Sequence, residues 1–360
     1  MQVKTSNNKM ELKECFLICN SSIFKRTILG VLMILLFYKI CVSSEIYLII
    51  LCAIICIGSL IEFVHLVWDP NSSHATNPFL IFYMVFLLFI STSYSTIIYV
   101  SPYLRKFLPI CNFRIACFYL YSFGLILYIR SFKKLFLKDQ LLLLAVIHLS
   151  THILGTTFKI TVKIIRKGKF YMIYPACLII ANDSFAYFVG KLFGKTPLYS
   201  LSPKKTVEGF IGGYIGSCIV GFVFVYFKLN YDIFPDPLDT IMKAKTNFAI
   251  KWLNAEALYY YNIFFVLFAS FVAPFMGFLA SALKRLFKKK DYGSWIPGHG
   301  GMVDRMDCQI FMVWFTYYFL QGLNQVKLSQ AQHMVSYILK NFTNEEISVI
   351  TSDLSKKINE

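Results

Sequence analysis

The chain has 360 residues, of which 57% are hydrophobic and 15% charged, and its formal net charge is +17. With a mean hydropathy of +0.59, this composition excludes an ordinary soluble domain and indicates an integral membrane protein. The excess of lysine and arginine lies in the segments between apolar stretches, so we expect it to meet membrane lipids and anionic ligands, not nucleic acid.

Nine apolar windows follow one another along the chain, and each is read as a helix that crosses the membrane. The fourth, fifth and ninth windows are the weakest, so the prediction is an all-α polytopic integral membrane protein with eight or nine transmembrane helices. The windows are Phe24–Ser43, Ile46–Val67, Phe79–Val100, Cys111–Tyr128, Leu141–Phe158, Phe170–Gly190, Phe210–Phe227, Tyr259–Leu283 and Gln309–Gln321.

The windows divide the chain into three predicted parts. Residues 1–23 form a polar cytosolic N-terminus, residues 24–321 form the transmembrane domain, and residues 322–360 form a polar C-terminal tail. Within the first window, Lys25 and Arg26 precede the apolar run. This run is long for a cleaved signal peptide, so we interpret the window as a retained signal anchor. Leu229–Asn254 is the longest predicted loop between helices, and Lys159–Lys169 is predicted to be a shorter, basic one.

Two polar blocks, at 182–209 and 281–309, interrupt the apolar pattern. Because two predicted membrane passages separate them, the two loops lie on the same face of the membrane and can share one charged pocket at the cytosolic boundary. The same topology puts Lys159–Lys169 on the lumenal side, against the preference of basic loops for the cytosol.

The first block reads Asn-Asp-Ser-Phe-Ala-Tyr from Asn182, then Gly-Lys-Thr-Pro-Leu from Gly194, and Ser-Pro-Lys-Lys-Thr-Val-Glu-Gly from Ser202. Asp183 lies within an apolar helix, where a carboxylate costs about 2.5–3.5 kcal/mol, so it indicates a pocket or metal carboxylate, or else a hydrogen bond between helices. The glycines at 190 and 194 lack the spacing of a P-loop, although a glycine loop at a helix end can still bind phosphate.

The second block combines Ser281, Lys284-Arg285, Lys290-Asp291, a Pro-Gly-His-Gly-Gly turn from Pro297, and Asp304-Arg305-Met306-Asp307. Lysine and arginine bind phosphate, carboxylates bind hard cations, and glycines let backbone N–H groups approach phosphate oxygens. Asp304 and Asp307 share one face of a helix, which fits either Mg²⁺ binding or stabilisation by the helix dipole.

Both blocks resemble the signature of the phosphatidate cytidylyltransferase (CDP-diacylglycerol synthase) family, with the one departure that Val207 replaces the usual tryptophan. Asp307-Cys308-Gln309 is similar to the eukaryotic endoplasmic-reticulum branch. The resemblance is strong over about 170–320. It implies the Mg²⁺-dependent reaction of CTP with phosphatidate to give CDP-diacylglycerol and pyrophosphate, in phospholipid biosynthesis, at the cytosolic face of the endoplasmic reticulum. The resemblance leaves open whether a second cation binds and whether the protein forms a homodimer.

On this resemblance each side chain receives an expected role. The catalytic residues are expected to be Lys284, Arg285, Lys290, His299 and Arg305. The substrate-binding residues are expected to be Ser281, Lys195, Ser202, Lys204, Lys205, Tyr187, Gly300 and Gly301. The metal ligands are expected to be Asp304, Asp307, Asp183 and Asp291, with Asp291 equally able to pair with Lys288 or Lys290.

Two other functions fit parts of the pattern. A CTP-dependent lipid kinase, or a cytidylyltransferase for another lipid phosphate, needs the same charges. A polytopic transporter without catalysis is the second alternative. The ten cysteines show neither CxxC nor zinc-finger spacing and favour packing roles.

Overall fold

The computed structural model describes most residues of the chain. These are residues 30, 32–68, 77–100, 110–198, 205–231, 234, 245–247, 254–293, 300–343, 346–348 and 351–352. Ser202, Lys204 and His299, three of the predicted site residues, lie outside them.

The described chain is almost entirely helical, with one small ladder formed by β1 (Lys245–Asn247) and β2 (Asn254–Glu256) as an antiparallel pair. The helices in chain order are α1 (Leu32–Val42), α2 (Glu45–Val67), α3 (Pro78–Val100), α4 (Ile110–Arg130), α5 (Leu137–Lys167), α6 (Phe170–Phe193), α7 (Val207–Tyr231), α8 (Ala257–Leu267), α9 (Pro274–Leu286) and α10 (Val303–Asn341). A 3₁₀ turn at Lys134–Phe136 precedes α5, and a π-turn at Phe268–Val272 joins α8 to α9.

Five described stretches are long and apolar enough to cross a membrane. They are Glu45–Val67, Lys134–Lys167, Phe170–Phe193, Val207–Tyr231 and Ala257–Leu286, and shorter apolar helices accompany them at Leu32–Val42, Pro78–Tyr94 and Ile115–Arg130. This confirms the predicted all-α polytopic membrane fold. The number of helices that actually cross the bilayer stays a prediction.

One predicted loop is wrong. Lys159–Lys167 belongs to α5, which continues to Lys167 and ends at Gly168. At about 1.5 Å per residue, a helix of 31 residues is roughly 46 Å long, against a hydrocarbon core of about 30 Å. The helix can therefore continue beyond the apolar layer. Its basic residues belong to the last turns of the helix and do not form a loop.

The predicted loop Leu229–Asn254 also begins later than expected, because α7 continues to Tyr231, and β1 lies inside it. The ninth window is part of α10, a helix of 39 residues. Two compact units divide the chain, Met1–Trp314 and Phe315–Glu360, and the site described below lies in the first.

Within the first unit, α2 and α3 pack against α5, and α6 packs along α7. The approach of α7 to α6 depends on glycine. At Gly213, a methyl group would lie 2.7 Å from Asn182 Oδ1 and 2.9 Å from the Asn182 carbonyl oxygen. Small residues let membrane helices approach closely where hydrophobic burial cannot drive their association. This contact fixes the helix that carries Asp183 against the helix that follows the first polar block.

We predict that Gly213→Ala destabilises the protein. The new methyl group meets a backbone oxygen, so the two helices must separate, and overpacking of this kind costs about 1–3 kcal/mol. Thermal unfolding of the detergent-solubilised protein measures the effect as a lower midpoint. The control is Gly322→Ala, because none of the described residues places a neighbouring atom within 4 Å of the added methyl group. Equal midpoints for the two variants would contradict the assigned helix contact.

Candidate active site

The second polar block is anchored on α2, which precedes it by more than 200 residues. Glu62 is 1% exposed, and its carboxylate accepts hydrogen bonds from the backbone N–H groups of Met302 (2.8 Å) and Val303 (2.9 Å). One turn earlier on α2, a methyl group at Gly58 would lie 3.2 Å from the Met302 sulfur. The start of α10 is therefore seated directly on α2.

Apolar packing supports the same junction. Leu66, Tyr292 and Val303 form a buried cluster, and Phe63 packs edge-on against Tyr292 with ring centroids 5.2 Å apart. The Tyr292 hydroxyl donates to the carbonyl of Ala280 at 3.0 Å. Burial, with the nearby carboxylates of Asp304 and Asp307, raises the pKa of Tyr292, so the ring stays neutral and acts as a packing group.

Asp304 holds the segment between α9 and α10 together. Its Oδ2 atom accepts hydrogen bonds from the backbone N–H groups of Tyr292 and Gly301, both at 3.0 Å. Its Oδ1 atom accepts from Lys284 Nζ at 2.6 Å, which forms an ion pair with little exposure on either side. Charge-assisted bonds of this kind are stronger than neutral ones, so Asp304 joins α9, Tyr292 and Gly301 at one carboxylate.

Gly300 adopts φ of +82°, in the left-handed region that glycine tolerates without a steric cost. A methyl group there would lie 3.4 Å from Asp304 Oδ2 and 3.8 Å from Asp291 Oδ1. The turn therefore brings backbone close to both carboxylates.

A cavity of about 600 Å³ opens beside this segment, along the second half of α6 and the length of α9 and at the beginnings of α7 and α10. Its volume suits a nucleotide-sized ligand. Both polar blocks contribute to it. The polar lining residues include Asn182, Asp183, Tyr187, Lys191, Lys205, Thr206, Ser281, Lys284, Asp291, Asp304, Arg305 and Asp307, and the apolar ones include Ala186, Phe210, Pro274 and Phe278.

Within the cavity, carboxylates and cations lie close together. A methyl group at Gly277 would lie 3.4 Å from Asp307 Oδ2 and 3.6 Å from Lys205 Nζ, so both side chains lie over the same part of α9. Lys205 also stands over the Phe278 ring, 4.5 Å from its centroid. Burial raises the pKa of Asp307 above its usual range, with the Cys308 N–H and Lys205 opposing it. Asp183, on α6, interacts electrostatically with Lys205, Asp307 and Arg305.

Several predicted site residues lie outside this lining. Lys195, Arg285 and Lys290 are exposed and do not border the cavity. The N–H groups of Lys195 and Thr196, where the glycine loop suggested a phosphate cradle, instead bind the Glu208 carboxylate at 3.1–3.2 Å. Gly300 and Gly301 act beside the cavity through their backbone.

Three residues that the structure places at or near the site were not among the residues predicted from the sequence. Glu62 was hidden inside the second apolar window, where a lone carboxylate was the only indication that a partner existed. Glu208 binds the turn before α7, and Lys191 lines the cavity one turn after Tyr187, with its Nζ 6.0 Å from that ring centroid.

Residues 24–323 match the sequence pattern of the Cytidylyltransferase family. The chain belongs to this family. Cytidylyltransferases are nucleotidyltransferases, and the protein is therefore an enzyme that spans a membrane.

Relatives in distant eukaryotes agree with this assignment. A phosphatidate cytidylyltransferase of Encephalitozoon cuniculi is 35% identical over 348 residues, which is 95% of this chain and 88% of the relative. The Saccharomyces cerevisiae protein of that name is 32% identical over 69% of this chain and 60% of its own length. Human phosphatidate cytidylyltransferase 1 is 34% identical over 60% of this chain and 53% of its own length. The chain thus covers most of the Encephalitozoon protein and little more than half of the yeast and human ones.

The carboxylates fit a magnesium ion that is shared with substrate. The described residues contain no cluster of three or more His, Cys, Asp or Glu side chains placed to hold a metal by themselves. Magnesium at phosphate-transfer sites typically takes only one or two carboxylates together with phosphate oxygens and waters. Asp183 and Asp307 suit that mode, whereas both oxygens of Asp304 already accept hydrogen bonds within the protein.

We predict that Asp304→Asn loosens the segment between α9 and α10. The amide keeps the volume but has one acceptor oxygen where the carboxylate has two, so it cannot accept from Lys284 and from both backbone N–H groups in this geometry. An unsatisfied buried donor costs about 1–3 kcal/mol. Hydrogen–deuterium exchange should accelerate in peptides that contain Tyr292 and Gly301. Asp291→Asn is the matched control, because Asp291 is exposed and makes no hydrogen bond to these two amides. Unchanged exchange in Asp304→Asn would contradict the structural role of this carboxylate.

Proposed function

We propose that the protein transfers the cytidylyl group of CTP to phosphatidate, which gives CDP-diacylglycerol and pyrophosphate. The supporting observation is the cavity in which Lys205, Lys284 and Arg305 surround Asp183 and Asp307 at the ends of membrane helices. A membrane cytidylyltransferase needs such a mixed-charge site where a lipid phosphate can meet a nucleotide. The names of the Encephalitozoon, yeast and human relatives support the choice of lipid.

The chemistry needs no protein nucleophile. A phosphate oxygen of phosphatidate attacks the α-phosphorus of CTP, a new P–O bond forms, and the bond to the β-phosphate oxygen breaks to release pyrophosphate. The attacking oxygen is already ionised at neutral pH. The protein has to hold two polyanions against their repulsion with the reacting atoms in line, and positioning with charge stabilisation provides most of the rate in reactions of this type.

The residues that line the cavity have different proposed roles in this reaction. Lys205 and Arg305 are placed to neutralise phosphate charge. Lys284 contributes positive charge while it holds Asp304. Ser281 can donate a hydrogen bond to a phosphate oxygen. Asp183 and Asp307 would hold Mg²⁺, which when bound neutralises phosphate charge and orients the phosphates, and Asp291 borders the same space.

The apolar wall suits the lipid. Tyr187 lines the cavity and is largely exposed, and its neighbour Phe188 presents apolar surface beside it. Phe210 and Phe278 continue this wall. The acyl chains can therefore stay in hydrocarbon while only the headgroup enters the charged part of the site.

The topology supports a cytosolic site. The two polar blocks are separated by α7 and by the α8–α9 stretch, both long enough to cross the membrane, so the blocks lie on one face. We propose that this face is the cytosolic side of the endoplasmic reticulum, where CTP is available.

The decisive experiment follows the nucleotide label into lipid. Purified protein in mixed micelles, given CTP labelled at the α-phosphate, phosphatidate and Mg²⁺, should form labelled CDP-lipid and release one pyrophosphate for each CDP-lipid. EDTA should stop turnover. Release of CDP without labelled lipid would indicate a CTP-dependent kinase instead, and the absence of any CTP turnover would remove the proposal.

We predict that Asp183→Asn and Asp307→Asn each lower turnover by at least about 100-fold, because each removes a charge expected to hold Mg²⁺ against the phosphates. Thermal unfolding in detergent should show both variants folded. Asp139→Asn is the control, since Asp139 lies at the beginning of α5, away from the cavity lining. Near-normal turnover at limiting Mg²⁺ in either variant would show that its carboxylate is not a ligand.

A further inference from the structure

We propose that Glu62 is a positioning residue for catalysis, which sets the location of Asp304, Arg305 and Asp307 from the opposite end of the sequence. This inference rests on the proposed function, because it concerns the same cavity. Glu62 does not line the cavity, so it acts only through the residues that it holds.

The Glu62 carboxylate is bonded through both oxygens. Oε1 accepts the N–H of Met302 at 2.8 Å and Oε2 accepts the N–H of Val303 at 2.9 Å. With 1% exposure, the side chain is removed from solvent, where losing either donor would be costly. A carboxylate at this place is also favoured by the dipole of α10, whose first residue is Val303.

Two glycines of the second polar block lie so close to this carboxylate that a side chain at either position would collide with it. At Gly293, a methyl group would lie 2.6 Å from Glu62 Oε1 and 3.0 Å from its Cδ atom. At Gly301 it would lie 2.6 Å from Oε2. Neither glycine has a positive φ, so backbone conformation does not require glycine there. At Gly293 the space for a side chain is occupied by Glu62, and at Gly301 it is occupied by Glu62 together with the backbone N of Gly293, which would lie 2.8 Å from the methyl group.

The bonds lead directly to the cavity. Met302 and Val303 are the two residues immediately before Asp304, and Arg305 and Asp307 follow in the first turns of α10. Asp304 in turn binds the N–H groups of Tyr292 and Gly301. Glu62 and Asp304 together fix both ends of the segment that carries the conformationally special Gly300. A misplacement of about 1 Å at such a site can cost about 100-fold in rate.

The fold itself has other support at this junction. The buried cluster of Leu66, Tyr292 and Val303, together with the Tyr292 hydroxyl bond to Ala280, joins α2, α9 and α10 without Glu62. Losing the carboxylate should therefore shift the start of α10 without unfolding the protein. A loss of activity without unfolding would distinguish a positioning role from a purely structural one.

The first test replaces the carboxylate with its amide. Glu62→Gln should lower kcat for CDP-lipid formation by about tenfold or more, while KM for CTP and for phosphatidate stays within roughly threefold. Glu62→Asp keeps the charge and should recover part of kcat. The matched control is Glu45→Gln, which removes an exposed carboxylate from the same helix. A kcat within twofold of wild type, or a thermal midpoint that falls in parallel with activity, would overturn the proposal.

The second test approaches the contact from the other side. Gly293→Ala in the wild-type background should lower kcat, because its methyl group displaces Glu62. In a Glu62→Ala background the same substitution should have little further effect, since all three of its nearest atoms belong to Glu62. The proposal would be overturned if the effects of the two substitutions on kcat were additive, or if Gly293→Ala alone did not change kcat. The second result decides the question even if Glu62→Gln fails to fold. Turnover of the wild-type protein is measured in the same assay. If the wild-type protein does not form CDP-lipid, the proposed function is wrong. If it does, and the variants are as active as the wild type, only the inference about Glu62 is wrong.

Discussion

The Lys284–Asp304 ion pair is the interaction on which the candidate active site depends. It joins the end of α9 to the beginning of α10, and the same carboxylate binds the backbone on both sides of the turn that contains Gly300. Unpaired charges at the edge of hydrocarbon are expensive, and breaking a buried pair leaves one of them uncompensated. The pair therefore fixes geometry as well as charge at the junction between α9 and α10.

Electrostatic balance distinguishes this cavity from a purely basic phosphate site. Lys205 lies near Asp307 and over the Phe278 ring, and Asp183 interacts with Lys205 and Arg305. Carboxylates alone would repel CTP and phosphatidate, and lysines alone would bind both without aligning them. The mixture of lysine, arginine and carboxylate side chains places charges of both signs around the cavity, which suits a reaction that must hold two polyanions and then release a third.

The sequence predicted the features that depend on local pattern. The apolar windows identified the membrane helices, and the two polar blocks identified the residues around one cavity, among them Asp183, Lys205, Lys284 and Asp307. Contacts between distant segments could not be read in this way. The partner of Glu62 lies 240 residues away, Glu208 competes for the N–H groups expected to bind phosphate, and α5 continues through a basic stretch because helices do not end where the hydrocarbon does.

The Glu62 contact also has a consequence for biosynthesis. During translation α2 leaves the ribosome 240 residues before Met302, and at roughly 5–20 residues per second this interval lasts about 12–48 s. Throughout that time a carboxylate within an apolar segment lacks its final donors. The segment that contains α2 must therefore accommodate this carboxylate until Met302 and Val303 have been made, and temporary contacts with neighbouring helices would matter most during that interval.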